Sequence, residues 1–206
     1  RDEARTTLQN GQRLLADFGD ELSAKSRRLA AYAQDEWSFN PQWSAYAGLR
    51  WEGINTEGDA GAGKIEHNRS SVWTPLLHSV YKFDPKSRDQ IRVSLTRSYK
   101  SPTLQNLIAR PSLNTRLPVP FENSPTQVDR AGNPSLKPEL ATGIDVAFER
   151  YLKDGGILSA NLFHRNLSNY IRNVTALETV SWAPVQRWVS RPQNVGDAYT
   201  QGIELE

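Results

Sequence analysis

LAAYAQDEWSFNPQWSAYAGLRWE, running from Leu29 to Glu52, decides how this chain is read. In its second half Trp43, Ala45, Ala47, Leu49 and Trp51 fall on one face, and Ser44, Tyr46, Gly48, Arg50 and Glu52 on the other. A period of two marks a β-strand, because successive Cβ atoms point to opposite sides of the pleat. The apolar face begins and ends in tryptophan. From Trp43 to Trp51 the strand rises roughly 26 Å, or about 20 Å along a membrane normal at a tilt of about 40°. That approaches the height of the lipid-facing band of an outer-membrane barrel, where aromatic side chains mark both interfaces. The opposite face is too charged for a packed core and suits a wet lumen.

The first half supplies the hairpin partner. Residues Gly19 to Trp37 are rich in helix formers, but Arg27 to Trp37 is expected to be a strand, joined to the next through the Asn-Pro turn of Ser38 to Gln42. Leu29, Ala31, Ala33 and Trp37 share a face with Asp35, while Tyr32, Gln34 and Glu36 look inward.

Composition sets the outer limits. The 206 residues amount to about one domain, with a formal net charge of +2 whose signs are interspersed. A nucleic-acid surface would need a basic patch or stripe. No run of about 18 apolar residues exists, which excludes a helical span. The mean hydropathy of −0.63 is compatible with a barrel, since half of every barrel strand faces water. With no cysteine, disulfide scaffolds and thiolate metal sites are out.

Further along, Arg1 to Ala24 is polar and weakly patterned, and residues 53–69 are too glycine-rich and polar for a strand. Ser70 to Phe83 reads as a third strand with Trp73, Leu77 and Tyr81 or Phe83 toward lipid, weakened by Pro75. After the charged turn of Asp84 to Asp89, Gln90 to Lys100 sets Ile91, Val93, Leu95 and Tyr99 against Arg92, Ser94, Thr96, Ser98 and Lys100, with Arg97 on the wrong face. Ser101 to Pro138 is a long connection dense in proline and asparagine. Strands at Glu139 to Leu152 and Ile157 to Ile171 flank the tight turn of Lys153 to Gly156. A second long loop covers Arg172 to Gln193, and a last strand runs from Asn194 to Glu206.

The connections alternate short and long throughout. Membrane barrels place short turns on the periplasmic side and long loops outside, whereas a soluble sandwich has no reason to sort them. The expected fold is therefore all-β: an antiparallel, up-and-down transmembrane barrel segment of about six to seven strands, an open curved sheet if alone. Because bacterial barrels close with eight or more strands, and the last strand stops in mid-alternation, residues 1–206 read as a partial barrel domain of a larger protein.

Four segments carry a family resemblance. AAYAQDEW (Ala30 to Trp37) with GLRWE (Gly48 to Glu52), RSYKSPTLQNL (Arg97 to Leu107), NPSLKPELATGIDVAFE (Asn133 to Glu149) and NVGDAYTQGIELE (Asn194 to Glu206) resemble, in order, strands of TonB-dependent outer-membrane receptors. The resemblance implies a barrel of about twenty-two strands around an N-terminal plug. It implies import of a scarce nutrient such as an iron-siderophore, haem, cobalamin or an oligosaccharide, driven by the TonB–ExbB–ExbD complex. Neither the plug nor the segment that TonB grips is found in these residues.

No catalytic or metal constellation stands out, and no cofactor is expected; His67, His78 and His164 lack ligand spacing. For ligand binding the long loops offer cations beside aromatics: Arg110, Arg116 and Phe121 in one, Trp182, Arg187 and Trp188 in the other. Such groups suit an anionic chelate or a sugar, although the tryptophans also fit an interfacial girdle and the arginines lipopolysaccharide phosphates. Arg50, Glu52, Asp145, Glu149, Glu204 and Glu206 face the lumen, to meet the receptor's own plug or to pair across strands. Lys137, Pro138 and Glu139 shape the start of a strand. The partners expected are thus the plug, the TonB complex reached through it, outer-membrane lipid and lipopolysaccharide, and a small ligand such as an iron-siderophore, with no nucleic acid. The rival readings are a passive porin and a soluble β-sandwich interaction module.

Overall fold

The computed structural model describes residues 21–60, 64–153 and 155–206, with side chains from residue 23, and the backbone of Glu3–Ala4, Leu8–Gln9 and Gln12–Arg13. The weak patterning noted for Arg1 to Ala24 lies largely outside the described residues. The strands are β1 (Ala24–Ser38), β2 (Trp43–Asp59), β3 (Ile65–Lys82), β4 (Gln90–Lys100), β5 (Asp129–Arg130), β6 (Glu139–Tyr151), β7 (Ile157–Ser168), β8 (Ile171–Glu178), β9 (Arg187–Asn194) and β10 (Ala198–Leu205), with a short helix α1 (Leu104–Leu107). Seven of them form one antiparallel sheet in the order β10-β7-β6-β4-β3-β2-β1. This is an up-and-down meander whose two outermost strands are open edges.

Register fixes which residues share a face. Trp43 pairs with Tyr81, Ala47 with Leu77 and Trp51 with Trp73; Leu77 pairs in turn with Leu95, Leu95 with Ile144, and Val146 with Leu162. Leu162 pairs with Ile203. One continuous apolar face results, and its large side chains stay exposed, Trp73 at 52% and Leu162 at 50%. No second layer covers it among the described residues. The two indoles of β2 are anchored by cross-strand hydroxyls: Trp43 Nε1 donates to Ser79 Oγ at 3.0 Å and Trp51 Nε1 to Ser71 Oγ at 2.8 Å. An indole is half apolar and half polar, which suits it to an interface.

The opposite face is hollow. A cavity of about 790 Å³ on it is lined by side chains from β3, β4, β6, β7 and β10, including His78, Arg92, Asp145, Glu149, Asn161 and Glu204. The depression spans five neighbouring strands, whereas a smaller one of about 410 Å³ on the apolar side is lined by β6, β7 and β10 alone.

Local chemistry explains the short turns. Asn40 Oδ1 accepts the N–H groups of Gln42 and Trp43 at 2.9 and 2.8 Å, closing the β1–β2 hairpin. Asp84 Oδ1 accepts from the Lys86 N–H at 2.8 Å. Gly155, at φ 87°, supplies the left-handed residue of the β6–β7 turn.

Three expectations need correction. Residues 53–59 and 65–69, expected as loop, are strand: β2 and β3 stay paired as far as Asp59↔Ile65. The polar sequence misleads because this hairpin stands beyond the apolar band, with water on one face. Its other face, Ile54, Thr56, Asn68 and Val72, is buried. Pro75 does not break β3, since it falls just past the last β3–β4 pair, Leu76↔Thr96. Beyond that pair the β3–β4 ladder opens, and Tyr99, grouped by alternation with the apolar face, turns its hydroxyl to inward Glu52 at 2.5 Å.

Candidate functional site

Both long loops lie at the same end of the sheet, and they fold together. Within the second, β8 and β9 form a hairpin from Ile171↔Asn194 to Glu178↔Arg187. From the first, β5 adds to β9 in parallel, with Val189↔Asp129 and Ser190↔Arg130. The expected loop of Arg172 to Gln193 is thus largely strand. The β8–β9 hairpin itself is local; only Val189 and Ser190 add a distant strand, at Asp129 and Arg130.

At the centre of this cap Arg187 donates through Nε and Nη2 to Asp129 Oδ2 and Oδ1, both at 2.8 Å. Neither side chain is exposed to solvent. The guanidinium also donates to the carbonyls of Leu117, at 2.8 Å, and Phe121. Asp129 further accepts from the Asn114 N–H at 2.9 Å and Trp182 Nε1 at 3.3 Å. Burial alone raises the Asp129 pKa, but the Arg187 bond, the Asn114 and Trp182 donors and the Arg187 charge together hold it below the usual carboxylate value. Around the pair pack Ala131, Val180 and Val189, with Trp182 and Ala183 against them. Arg191 clasps Glu178 at 2.8 and 3.1 Å and donates to the Gly132 carbonyl at 3.0 Å.

The cap is rooted on the sheet. Asn68, on the inner face of β3, donates to the carbonyls of Pro134 and Leu136 at 2.7 and 2.9 Å. Asn194 exchanges bonds with the Lys137 backbone at 2.9 and 3.0 Å, and Glu139 accepts the Ile171 N–H at 2.8 Å. The segment Lys137 to Glu139 therefore does shape a strand start. Because these roots reach inner-facing Asn68, the loops lie toward the hollow face rather than away from it.

The residues picked out from sequence divide accordingly. Arg187, expected among the ligand-binding loop cations, is a buried tie between the loops, its guanidinium donating wholly to internal partners. Trp182 is half-buried against the cap core, with the Arg191 guanidinium 5.7 Å from its ring. Trp188 is half-buried, and its backbone is clamped by Asn123 at 2.6 and 2.9 Å. Phe121 is 67% exposed. Arg116 is exposed and Arg110 half-exposed. All six belong to one cap, but the buried tie separates them into a core set and a surface set. Sequence reasoning missed Asp129, whose only signal is that it is an acidic residue able to neutralise a loop arginine.

On the inner wall Arg50 and Arg28 approach Glu52 at 2.7 and 3.4 Å. Arg165 meets Asp145 at 3.2 Å, Arg92 pairs with Glu149, and Asn161 donates to Glu204 at 3.3 Å. Glu206 exchanges backbone bonds with Ser159 at 2.8 and 3.0 Å. Apart from Glu206, which bonds through its backbone, these inward charges thus meet partners on their own or nearby strands. The three histidines stand apart: His67 lies 4.0 Å from Glu57, His78 bonds Ser94 at 2.8 Å, and His164 bonds Gln201 at 3.1 Å.

A seven-strand meander with an apolar exterior, a hollow polar interior and co-folded loops at one end has known counterparts. The model of the TonB-dependent receptor-like β-barrel family matches residues 4–206. The chain belongs to that family. Among solved structures, this TonB-dependent receptor-like barrel resembles the siderophore receptor PirA from Pseudomonas aeruginosa, at 14% identity and a TM-score of 0.53, covering 90% of this chain and 39% of that one. It also resembles the Serratia marcescens hemophore receptor HasR, solved with its hemophore HasA and heme, at 13% and 0.56, covering 87% and 31%. The siderophore receptor PirA from Acinetobacter baumannii matches at 13% and 0.52, covering 90% and 34%. At such identities the likeness speaks for the barrel fold, and the chain spans 31–39% of the length of these receptors. No curated protein matches it.

Proposed function

We propose that residues 1–206 form one partial barrel domain: wall strands and external loops of an outer-membrane receptor of a Gram-negative bacterium. The receptor binds a scarce nutrient (an iron-siderophore, haem, cobalamin or an oligosaccharide) and imports it with energy from the TonB–ExbB–ExbD complex, through a plug supplied by another part of the protein. Arg110, Arg116, Phe121, Trp182 and Trp188 face the ligand from the cap, with Arg187 holding them in place. Arg50, Glu52, Asp145, Glu149 and Glu204 line the wall that the plug would meet. The role is transport rather than catalysis.

The observation that carries this reading is the joining of two long loops into one folded cap toward the hollow face. A passive pore has no need of loops so firmly tied above its lumen. The siderophore and hemophore receptors among the structural counterparts support it further. The test is uptake of radiolabelled ferric siderophores and of haem by cells producing the full receptor. The expected result is surface binding that survives a protonophore and accumulation that does not. Equal accumulation with and without energy would mean a passive channel.

A further inference from the structure

The sheet opens between β3 and β4 on the side toward the cap, and one side chain spans the opening. Across the β3–β4 turn the Phe83 N–H donates to the Asp89 carbonyl at 3.2 Å, so odd-numbered residues of β3 aim their backbone groups at β4. Pro75 is one of them. It has no N–H to give, and the ladder ends one row short of it, at Leu76↔Thr96. From Arg97 to Lys100, β4 is paired with β6 alone among the described residues.

Two placements are open to this stretch. If the register continued, Thr74 would stand opposite Ser98 and Trp73 opposite Tyr99. Tyr99 would then share the apolar side with Trp73, the face its alternation in sequence gives it. The structure shows the other placement. Tyr99 Oη donates to Glu52 Oε2 at 2.5 Å, reaching past β3 to a buried carboxylate on β2 that Arg50 also holds at 2.7 Å. Charge-assisted bonds of this kind are the strong ones among side chains. The stretch bears a cost in return: Arg97 Nε and Ser101 Oγ, at the ends of residues 97–101, are buried without a hydrogen-bond partner. The Tyr99 bond, and not a ladder to β3, therefore holds this end of β4 against the wall.

What it holds is the root of the first long loop. Ser101 follows at once, then Thr103, whose side chain caps α1. Leu107 at the end of α1 is buried, and Ile108 lies against Gly58 of β2, its Cγ1 3.2 Å from where a Cβ would stand. The same loop goes on to supply Asp129 to the buried tie of the cap. We infer that Tyr99, held by Glu52, is a positioning residue of the cap. Its bond keeps the β3–β4 ladder open and the root of the loop turned inward; without it the ladder zips on through Thr74 and Ser98 and carries the root outward. The functional part of this inference rests on the ligand-binding role proposed for the cap.

The test is disulfide trapping in the full receptor, with each linked peptide pair read by mass spectrometry. Thr74→Cys with Ser98→Cys reports the zipped ladder, in which the two Cβ atoms would lie about 4.5–5.5 Å apart. Leu76→Cys with Thr96→Cys reports the ladder already formed. Under copper-phenanthroline the second pair should link in every background. The first should link at least tenfold more slowly than the second in otherwise wild-type receptor, and as fast as the second when Tyr99→Phe is added. Glu52→Ala should act as Tyr99→Phe does, whereas Glu52→Gln, which keeps an acceptor for the hydroxyl, should act as wild type. Uptake adds the functional readout. For a ferric siderophore or haem that wild type accumulates, Tyr99→Phe should raise the half-saturating concentration about tenfold at an unchanged maximal rate. Fast linking of the first pair in wild type, slow linking in Tyr99→Phe, or failure of the second pair overturns the inference, as does an unaltered half-saturating concentration. A receptor that accumulates none of these compounds sinks the transport reading instead, and the trapping still decides the role of Tyr99.

Discussion

Arg187 and Asp129, 58 residues apart in sequence and on different loops, form a two-pronged ion pair from which solvent is excluded. Removing one member of such a pair leaves a buried charge uncompensated, at a cost of about 3–5 kcal/mol. Arg187→Met or Asp129→Asn in the full receptor should therefore release the cap while the barrel stays folded. Hydrogen exchange at the Val189 and Ser190 amides checks this: protection should fall in the cap and persist at Val93 and Val146. The double variant Arg187→Met with Asp129→Leu should recover part of the loss, because an apolar pair can replace a buried ionic one.

The same pair sets an acid limit. Asp129 has a folded pKa depressed below its ordinary value of 3.8. A depressed carboxylate adds stability that is complete above the unfolded value and drains away as pH falls through the folded one. Cap stability should thus be flat above about pH 5 and decline below about pH 4. The fluorine NMR signal of 5-fluorotryptophan at position 182, whose indole donates to Asp129, reports the opening. Asp129→Asn should remove this acid dependence.

How much of this was legible follows from what each stretch faces. The alternation of Trp43 to Trp51 could be read at once, because one face is apolar throughout and the other polar. Residues 53–59 could not, since one face meets water and the other a cap formed some fifty residues later. Arg187 looked like a ligand-facing cation because sequence shows charge and not the carboxylate opposite; Asp129 lies on another loop. Tyr99 broke its alternation where the β3–β4 ladder ends at Leu76↔Thr96, a feature of pairing and not of composition. The short turns were legible through Asn40, Asp84 and Gly155, whose chemistry is local.

Gly132 stands where the first loop crosses α1's exit. A Cβ there would come within 2.2 Å of the Ile108 carbonyl oxygen and 2.8 Å of that of Asn106. Backbone cannot yield as a side-chain tip can, so Gly132→Ala should cost the cap about 1–3 kcal/mol. Limited proteolysis should then cut within residues 108–132 at a rate at least fivefold above wild type.

Neighbouring residues of β7 offer an internal control for the two faces. Leu162 is outward and pairs with Val146 and Ile203; Asn161 is inward and donates to Glu204. In a bilayer Leu162→Lys should destabilise the barrel by about 2–4 kcal/mol, and Asn161→Lys by no more than about 0.5 kcal/mol. Urea titration of the receptor in large unilamellar vesicles measures both.

The central claim, lipid on one side of β2 and an enclosed aqueous space on the other, is tested most directly by spin labels placed singly along the strand. The sequence contains no cysteine, so single cysteines from position 44 to position 50 can be labelled without background from these residues. In bilayers, accessibility to oxygen should peak at Ala45, Ala47 and Leu49 and fall at Ser44, Tyr46, Gly48 and Arg50, with a period of two. A scan without that period, or one in which Ala45, Ala47 and Leu49 are shielded from oxygen, would contradict the account.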